Sequence, residues 1–588
     1  MSLIIQSHGG PKAKTEPSIA IARAAPPAGA DIAIDEQADF GYFMPPLDAP
    51  ENYLPNSAGV TAELDTLGGL MIAASTGPAP EPAETDSTLP PVFTYWGQFL
   101  DHELTARTDR ESEITDIANP HPPRPSSQVE AQLKNARSPR FDLDSVYGGV
   151  PVGMGVTADV ATVIAGMRHP TQRHKMRVGT AVDPGPLPDG LDQHRDLPRY
   201  GQVQESVRQA AIRVARASMS AADAAAFEAT LPTRALIGDQ RNDENLIVAQ
   251  FHLSFLRFHN RAVDYLSTHD TGWIPDFYSA QMLTRLHYQW LIVESYLKGL
   301  CDPAVVDSIV NNRAAHFFKF RSEYDARQPN RRIGNALPLE FSVAAYRFGH
   351  SMVRASYDHN NTFGRPDNQA DFTFLFTFTG GGGMFGSPKL PKNWVIDWDR
   401  FLGTSPMSSA DGKPARQARK IDTQLAPPLG DLDKEANEET NPDLKAMFKQ
   451  LARRNLRRGY NLRLPTGQAL HRHLKQIGAV QSDPIADIGA LFDHRPELRD
   501  FLRTTPSNFA ARTPLWFYVL AEAEAGGGNR LGEVGSWLVA ATFIGVLLSD
   551  PDSALSLEFI PAASPLRMPD GSEIDSIVKW MKFALVME

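Results

Sequence analysis

Three side chains suited to acid–base or ligand chemistry lie close together between residues 94 and 105. Gln98 lies three residues before Asp101 and four residues before His102. A helix would therefore place all three on neighbouring positions of one face. Phe99 and Leu100 lie among them, which is typical of a buried helix. A buried histidine beside a carboxylate is costly without a partner, metal or cofactor. For this segment alone, an Asp–His pair that satisfies itself in the core is the commoner explanation.

A second polar stretch precedes a long apolar helix. Gly238 and Asp239 indicate a turn, and Arg241 and Glu244 are three residues apart at the entrance of the predicted helix. A helical Arg–Glu salt bridge is the ordinary interpretation of that pair. The helix itself is predicted from apolar residues at helical spacing, namely Val248, Phe251, Phe255, Phe258 and Ala262.

Two further stretches carry candidate ligands. His350 is predicted to lie on a helix, and Gly349 beside it would let a flat ligand approach the backbone closely. Asn455 lies within an arginine-rich run that extends to Arg458. Such a run is usually a solvated helix face or an anchor for one anionic group.

Asp142 and Asp144 occupy alternating positions in a predicted extended loop, so both carboxylates would face the same way. Oxygen-rich loops suit calcium, which takes six to eight oxygen ligands. Aspartates that cap a turn are the alternative, and for the loop alone they are favoured.

Composition narrows the class of protein. The chain has 588 residues, a net charge of -11 and no long basic run, which argues against nucleic acid or an anionic membrane as its main partner. Its one cysteine, Cys301, excludes an internal disulfide framework and a multi-cysteine metal site. Neither a membrane span nor a secretory signal is evident. We therefore expect a cytoplasmic protein, or one exported without a recognisable N-terminal signal.

The chain is predicted to be mainly α-helical with few short strands. Residues 1–85 are rich in proline and alanine and are expected to form an extended arm that packs on the main body. Residues 86–588 are expected to form one large domain.

Taken in order, the four stretches resemble the animal-type haem peroxidases of the peroxidase-cyclooxygenase superfamily, and the chain is similar to a bacterial-style member. The motifs are Trp96-Gly-Gln-Phe-Leu-Asp-His102, Gly238-Asp-Gln-Arg-Asn-Asp-Glu244, Arg347-Phe-Gly-His350 and the run around Asn455. The resemblance covers about residues 85–550. It implies a single mainly α-helical domain that holds haem between a distal and a proximal helix.

On the distal side, the resemblance makes His102 the histidine that exchanges protons with peroxide and Arg241 the residue that stabilises developing charge. Gln98 matches a glutamine that helps to bind water or halide. Asp101 and Glu244 match carboxylates that can be esterified to haem methyl groups.

On the proximal side, the resemblance makes His350 the axial ligand of the haem iron and Asn455 the acceptor of its second N–H. Arg347 and Arg458 match contacts of the haem propionates. The implied cofactor is haem b or an ester-linked derivative of it.

Two departures from the family pattern affect these expectations. Asn245 stands where some members carry a methionine linked to haem, so that link should be absent. Glu103 follows the distal histidine where the family usually has a calcium-binding aspartate. A calcium site is still expected, from Glu103, Ser138, Arg140, Asp142 and Asp144.

The implied activity is reduction of hydrogen peroxide through a ferryl intermediate, with phenols, halides or thiocyanate as donors. A fatty-acid dioxygenase of the same superfamily is the alternative, but it needs a tyrosine typically three residues before the proximal histidine. Arg347 occupies that position here, and Tyr346 would point elsewhere. A haem-free scaffold is disfavoured because it has no need of His102, Arg241, His350 and Asn455 together.

Overall fold

The computed structural model describes residues 38–46, 49–75, 81–106, 113–137, 139–149, 157–328, 334–405, 411–432 and 439–588. Helices dominate these ranges, which confirms the mainly α-helical prediction. The α-helices are α1 (Gly59–Leu70), α2 (Val92–Leu104), α3 (Ser126–Gln132), α4 (Asp144–Tyr147), α5 (Ala158–Met167), α6 (Glu205–Ser218), α7 (Ala221–Thr230), α8 (Leu246–Thr268), α9 (Phe277–Leu291), α10 (Lys298–Leu300), α11 (Pro303–Asn311), α12 (Ala315–Arg327), α13 (Leu339–Val343), α14 (Trp398–Phe401), α15 (Pro442–Lys449), α16 (Leu451–Asn461), α17 (Gly467–Gln476), α18 (Pro496–Thr504), α19 (Leu515–Ala525), α20 (Glu533–Ser549) and α21 (Ile577–Phe583).

Short 3-10 helices connect many of these elements. They are Pro50–Asn52, Ala83–Thr85, Glu113–Thr115, Tyr200–Gln202, Leu231–Thr233, Gln240–Asp243, Ala345–Met352, Thr373–Phe376, Gly383–Gly386, Lys392–Trp394, Pro427–Gly430, Ile488–Leu491 and Pro561–Ala563. A π-helical stretch, Ile292–Leu297, joins α9 to α10, so the helical path runs from Phe277 to Leu300 with a change of winding. Among the described residues, none of the helices combines the length and the apolarity needed to cross a bilayer.

The strands are as short as expected. β1 (Ala38–Gly41) lies between β2 (Lys134–Asn135) and β3 (Leu337–Pro338), antiparallel to the former and parallel to the latter. Ala38 pairs with Asn135, and Phe40 pairs with Leu337. β4 (Ser356–Tyr357) and β5 (Ala370–Asp371) form a separate antiparallel pair. These strands hold loops against the helical core, and within the described residues they form no separate layer of β-sheet.

Helix α2 is positioned by its apolar face. It starts directly after Pro91, whose fixed φ suits the first turn of a helix. Trp96, Phe99 and Leu100 are fully buried, and the Phe99 ring stacks on Phe255 of α8 with centroids 4.6 Å apart. This packing fixes the rotation of α2 and therefore the direction of the face that carries Gln98 and His102.

Helix α8 begins at Leu246, after the 3-10 turn Gln240–Asp243, whereas the sequence predicts Arg241 and Glu244 at its entrance. The Asn245 side chain accepts a hydrogen bond from the backbone N–H of Val248 at 3.0 Å, which satisfies one of the free donors of the first turn. The five apolar positions on which the prediction rests are all buried. The N-terminus of α8 is thereby held directly after the turn that carries Arg241.

The predicted arm lies only partly within the described residues, because residues 1–37 fall outside them. Its last part is not wholly extended: residues 59–70 form α1, whose Val60, Leu64 and Leu67 are buried at helical spacing. Helix α1 packs closely on α16, where a Cβ added at Gly68 would come within 3.0 Å of the Arg453 backbone nitrogen. The division at residue 85 stays a prediction.

Glu340 of α13 fastens the segment after β1 to the core. Its carboxylate accepts the backbone N–H groups of Phe43 at 2.8 Å and Met44 at 3.0 Å. The side chain is fully buried, and burial raises the pKa of Glu340 to about 7 although the backbone donors oppose the shift. This carboxylate is therefore a source of pH-dependent stability.

We expect Glu340→Gln to change how stability depends on pH. The folded-state pKa lies above the unfolded value of about 4.3, so protonated Glu340 favours folding below that value and the contribution disappears as pH rises through about 7. Glutamine does not titrate. The free energy of unfolding of the variant minus that of the parent should therefore rise by about 2–3 kcal/mol from about pH 5 to about pH 8, as measured in denaturant titrations. A pH-independent difference, equal to that of the surface control Glu323→Gln, would contradict this.

Candidate active site

The structure brings the predicted distal residues together from distant parts of the chain. The Gln98 amide nitrogen on α2 donates to Glu244 Oε1 at 2.6 Å, and the Asn245 amide nitrogen donates to Gln98 Oε1 at 2.7 Å. His102 Nε2 lies 3.7 Å from the same Glu244 oxygen. Both ends of the Gln98 amide are thus held, and His102 faces a carboxylate across a short gap.

His102 is held as a neutral imidazole. Burial and, after it, the positive charge of Arg241 lower the pKa of His102 to about 3. The side chain is 6% exposed. Its Nδ1 lies 2.7 Å from Oδ1 of Asn242, a residue that the sequence interpretation did not single out although it directly follows Arg241. A neutral histidine with one nitrogen hydrogen-bonded and the other facing a gap can accept a proton.

Glu244 borders an open space. Its side chain is 44% exposed although Asp243 and Asn245 beside it are buried, so its carboxylate lies at an opening beside His102, which we call the cleft. Burial of the carboxyl within the protein raises the pKa of Glu244 to about 7, against the opposing effect of Arg241. The cleft next to His102 and Glu244 is the candidate place for a cofactor.

Arg241 pairs with a different carboxylate from the one expected. Its guanidinium makes a 2.7 Å salt bridge to Asp239 and donates to the backbone oxygens of Thr105 at 2.7 Å and His102 at 2.8 Å. The 3-10 turn Gln240–Asp243 produces this arrangement, because a helical Arg241–Glu244 pair would need α8 to start earlier. Arg241 therefore braces the C-terminal end of α2 and keeps its charge beside His102.

On the proximal side, His350, Asn455 and Arg347 meet. The Asn455 amide nitrogen lies 2.9 Å from His350 Nδ1, and Arg347 Nη1 donates to Asn455 Oδ1 at 3.3 Å. Apart from its chain neighbours and the local helix backbone, no described residue has an atom within 4 Å of the position that a Cβ at Gly349 would occupy, so the backbone beside His350 borders open space. Arg458 lies one turn further along α16 and is fully buried. All four predicted proximal residues belong to two neighbouring elements.

His350 lies on the 3-10 helix Ala345–Met352, and the sequence predicted a helix there without distinguishing its type. With about three residues per turn, Arg347 lies directly below His350 and Tyr346 does not. The Tyr346 hydroxyl donates to the Gly97 carbonyl of α2 at 3.1 Å and lies 3.0 Å from the Tyr296 hydroxyl. A Cβ at Gly97 would lie 2.5 Å from the Tyr296 oxygen, so this contact between the two sides depends on glycine.

The predicted calcium residues are partly assembled. Carboxylate oxygens of Glu103, Asp142 and Asp144 lie within 4.8 Å of one another, and all three residues are buried. The loop is not extended as predicted, because Leu143 adopts a left-handed conformation with φ of 62° and Asp144 starts α4. Ser138 lies outside the described residues. A guanidinium cannot ligate calcium, so Arg140 could contribute only its carbonyl oxygen.

Arg137 enters the same cluster and was missed in the sequence, where its place directly before the acidic loop is the only signal. Its guanidinium contacts Asp144 and lies 3.8 Å from Glu103 and 3.6 Å from Asp239. Burial raises the pKa of Glu103 and of Asp144 well above their usual range. One guanidinium thus faces several buried carboxyl groups, and Asp239 connects it to Arg241.

Comparison with known proteins finds a family model that matches part of the chain. Residues 199–379 match the model described as animal haem peroxidase, and this range contains Arg241, Glu244 and His350.

Two curated proteins are similar to part of this chain. A peroxidase-like protein of Margaritifera margaritifera is 25% identical over 289 residues, which is 47% of this chain and 33% of that protein. The human peroxidasin homolog is 24% identical over 291 residues, or 46% of this chain and 18% of its own length. The matched region therefore spans a third or less of either relative.

Solved structures extend the likeness to most of the chain. Peroxidase A of Dictyostelium discoideum has a TM-score of 0.50 at 14% identity, covering 94% of both chains, which supports the same fold. The fatty acid alpha-dioxygenase of Oryza sativa has a TM-score of 0.49 at 13% identity, covering 94% of this chain and 79% of its own.

Proposed function

We propose that the chain is a haem peroxidase that reduces hydrogen peroxide and oxidises small donors such as phenols, halides or thiocyanate. The observation that carries the proposal is neutral His102, which faces a cleft bordered by Glu244 while the His350–Asn455 pair lies on the adjacent 3-10 helix. A histidine that served only packing would need neither a cleft beside it nor a second histidine on a neighbouring element.

The residues present fit a haem. The open space at Gly349 suits a flat ring beside His350, and the exposed Glu244 side chain indicates room on the other side. His350 would ligate iron through Nε2, which requires a proton on Nδ1 and an acceptor for it. The Asn455 amide presents its nitrogen to Nδ1 here, so iron binding requires this amide to turn over and present Oδ1. Arg347 and Arg458 would hold the propionates.

The distal residues supply proton transfer and charge. When bound, haem supplies the iron that accepts the oxidising equivalents of peroxide. His102 takes a proton at Nε2 from one peroxide oxygen and returns it to the other, because its low pKa keeps the ring neutral at neutral pH. Arg241 keeps a positive charge beside His102, and Gln98, fixed at both ends, keeps Glu244 in place.

An absorption spectrum of the haem-loaded protein tests the proposal. We expect a Soret band that changes on adding one equivalent of hydrogen peroxide and recovers on adding guaiacol or bromide. A Soret band that does not respond would overturn the peroxidase proposal, and absence of a Soret band after haem supply would overturn haem binding.

The dioxygenase alternative makes a different prediction for oxygen. The residue three positions before His350 is Arg347, and the Tyr346 hydroxyl is occupied by Gly97 and Tyr296, which favours peroxidase chemistry. Consumption of oxygen with linoleic acid, without peroxide-dependent dye oxidation, would instead support the dioxygenase.

Covalent attachment of haem is a further part of the proposal, through Asp101 and Glu244. Asp101 Oδ1 accepts a hydrogen bond from the Thr105 hydroxyl at 2.8 Å, whereas Glu244 borders the cleft. We expect acidic organic solvent to extract little haem from peroxide-treated protein and to extract more from Glu244→Gln and Asp101→Asn. The exposed control Glu323→Gln should behave like the parent. Complete extraction from the parent would show that no ester forms.

We also propose calcium at Glu103, Asp142 and Asp144. A divalent cation would balance the carboxylates that surround Arg137, because burial raises the pKa of Glu103 and Asp144 and so disfavours their charged forms when no cation is bound. We expect one calcium per chain by elemental analysis and a lower thermal unfolding midpoint after chelation, restored by calcium. A metal-free protein with an unfolding midpoint that is insensitive to chelator would contradict this and would leave Arg137 as the cation of the cluster.

A further inference from the structure

Asn242 lies between two buried histidines and contacts both. Its Oδ1 is 2.7 Å from His102 Nδ1, and its Nδ2 is 3.1 Å from His252 Nδ1. Asn242 and His252 are completely buried, and His102 nearly so. The three side chains come from α2, the 3-10 turn and α8, so the contact forms only in the folded protein.

The amide cannot treat the two histidines alike, since its oxygen only accepts and its nitrogen only donates hydrogen bonds. With Nδ2 donating to His252, Oδ1 is directed at His102 and requires a proton on His102 Nδ1. His252 Nε2 has no hydrogen-bond partner in the part of the chain that the structure describes. Within that part, the hydrogen bonding of the His252 ring is therefore directed to Asn242.

We propose that Asn242 is a positioning residue whose Oδ1 holds His102 in the Nδ1-protonated form. A neutral imidazole carries one proton, so a proton kept on Nδ1 leaves Nε2 as a lone pair directed toward Glu244 and the cleft. The inference rests on the proposed function only in making that lone pair the acceptor of a peroxide proton.

Charged groups around His102 do not replace this effect. Arg241 and Arg137 disfavour a second proton on the ring, Asp239 opposes them, and Glu244 faces Nε2 at 3.7 Å. These charges decide whether the ring carries one proton or two. Asn242 decides which nitrogen carries the single proton.

Two substitutions separate this role from a packing role. Asn242→Leu removes the acceptor, and we expect the association rates of hydrogen peroxide and of cyanide, which also delivers a proton to the distal base, to fall by about tenfold at every pH. Asn242→Asp keeps an acceptor for Nδ1 but adds a negative charge beside the ring. It should retain fast association at high pH and move the acid limb of the pH–rate profile upward by at least about one unit.

Asn360→Leu is the matched control. Asn360 is equally buried, and its amide donates to the backbone oxygens of Asn393 and Val395, away from the site. This variant should lose stability without changing either association rate or the pH profile. If Asn242→Leu reacts like the parent with a normal Soret band, or if the acid limb of Asn242→Asp does not move, the inference is wrong.

The protonation state is also observable without haem. In the haem-free protein with ¹⁵N-labelled histidine, the His102 resonances, assigned with His102→Leu, should show a proton on Nδ1 in the parent and a mixture of both neutral forms in Asn242→Leu. A proton on Nε2 in the parent would overturn the inference. If instead the NMR result holds and the haem-loaded parent ignores peroxide, the proposed function fails while the inference stands.

Discussion

His350→Ala should yield a protein that folds but shows no stable Soret band. His350 supplies the ring nitrogen that would ligate iron, and neighbouring Gly349 offers no side chain to replace it. Asn455 and Arg347 would remain, but an amide and a guanidinium are poor iron ligands. Haem titration followed by gel filtration measures the effect, and we expect haem to be lost from the variant and retained by the parent.

Added imidazole sharpens that experiment. The space left by the side chain should admit imidazole and restore a ligated spectrum, which a misfolded variant would not do. His269→Ala, at an exposed position far along α8, is the control and should bind haem normally. Full haem retention by His350→Ala without imidazole would show that a residue other than His350 is the axial ligand.

His102→Leu should retain haem but react slowly with hydrogen peroxide, in contrast to His350→Ala. The Soret band should persist, because His102 bonds to Asn242 and faces Glu244 while the proximal contacts are untouched. The rate of reaction with hydrogen peroxide should fall by about 10²–10⁴-fold, the usual contribution of a general acid–base residue. Stopped-flow absorption under pseudo-first-order peroxide gives this rate directly.

The comparison between the two variants tests the assignment of sides. Equal loss of haem from His102→Leu and His350→Ala would contradict it. A peroxide rate in His102→Leu within a fewfold of the parent would show that another group takes the proton, and Glu244 at 3.7 Å would then be the first candidate.

Apolar spacing along the chain was enough to predict the helices, whereas the roles expected of the candidate site residues came from the resemblance to the animal-type haem peroxidases. The apolar period around Phe251 and Phe255 predicts α8, and the intervals between Gln98, Asp101 and His102 predict their shared face on α2. The resemblance implied that Asn455 and Arg347 lie near His350, and the structure has Asn455 against His350 and Arg347 against Asn455. These features follow from helical periodicity and from motif order, both of which are visible in one sequence.

What could not be predicted depends on backbone geometry between elements. The 3-10 turn before α8 directs Arg241 to Asp239 and places Asn242 against His102, and no periodicity signals either contact. The left-handed conformation of Leu143 likewise brings Asp142 and Asp144 to Glu103 by a bend that a bulky residue rarely adopts. The role of Arg137 follows from that bend.

The hydrogen bond from Tyr346 to the Gly97 carbonyl has a consequence for how a large ligand enters. It fixes the distance between the 3-10 helix that carries His350 and the helix that carries His102. The separation of these two elements is therefore set when the chain folds. Ligand binding then has no further entropy cost for bringing them together. A cleft preorganised in this way selects for ligands of one thickness, and it resists collapse when it is empty.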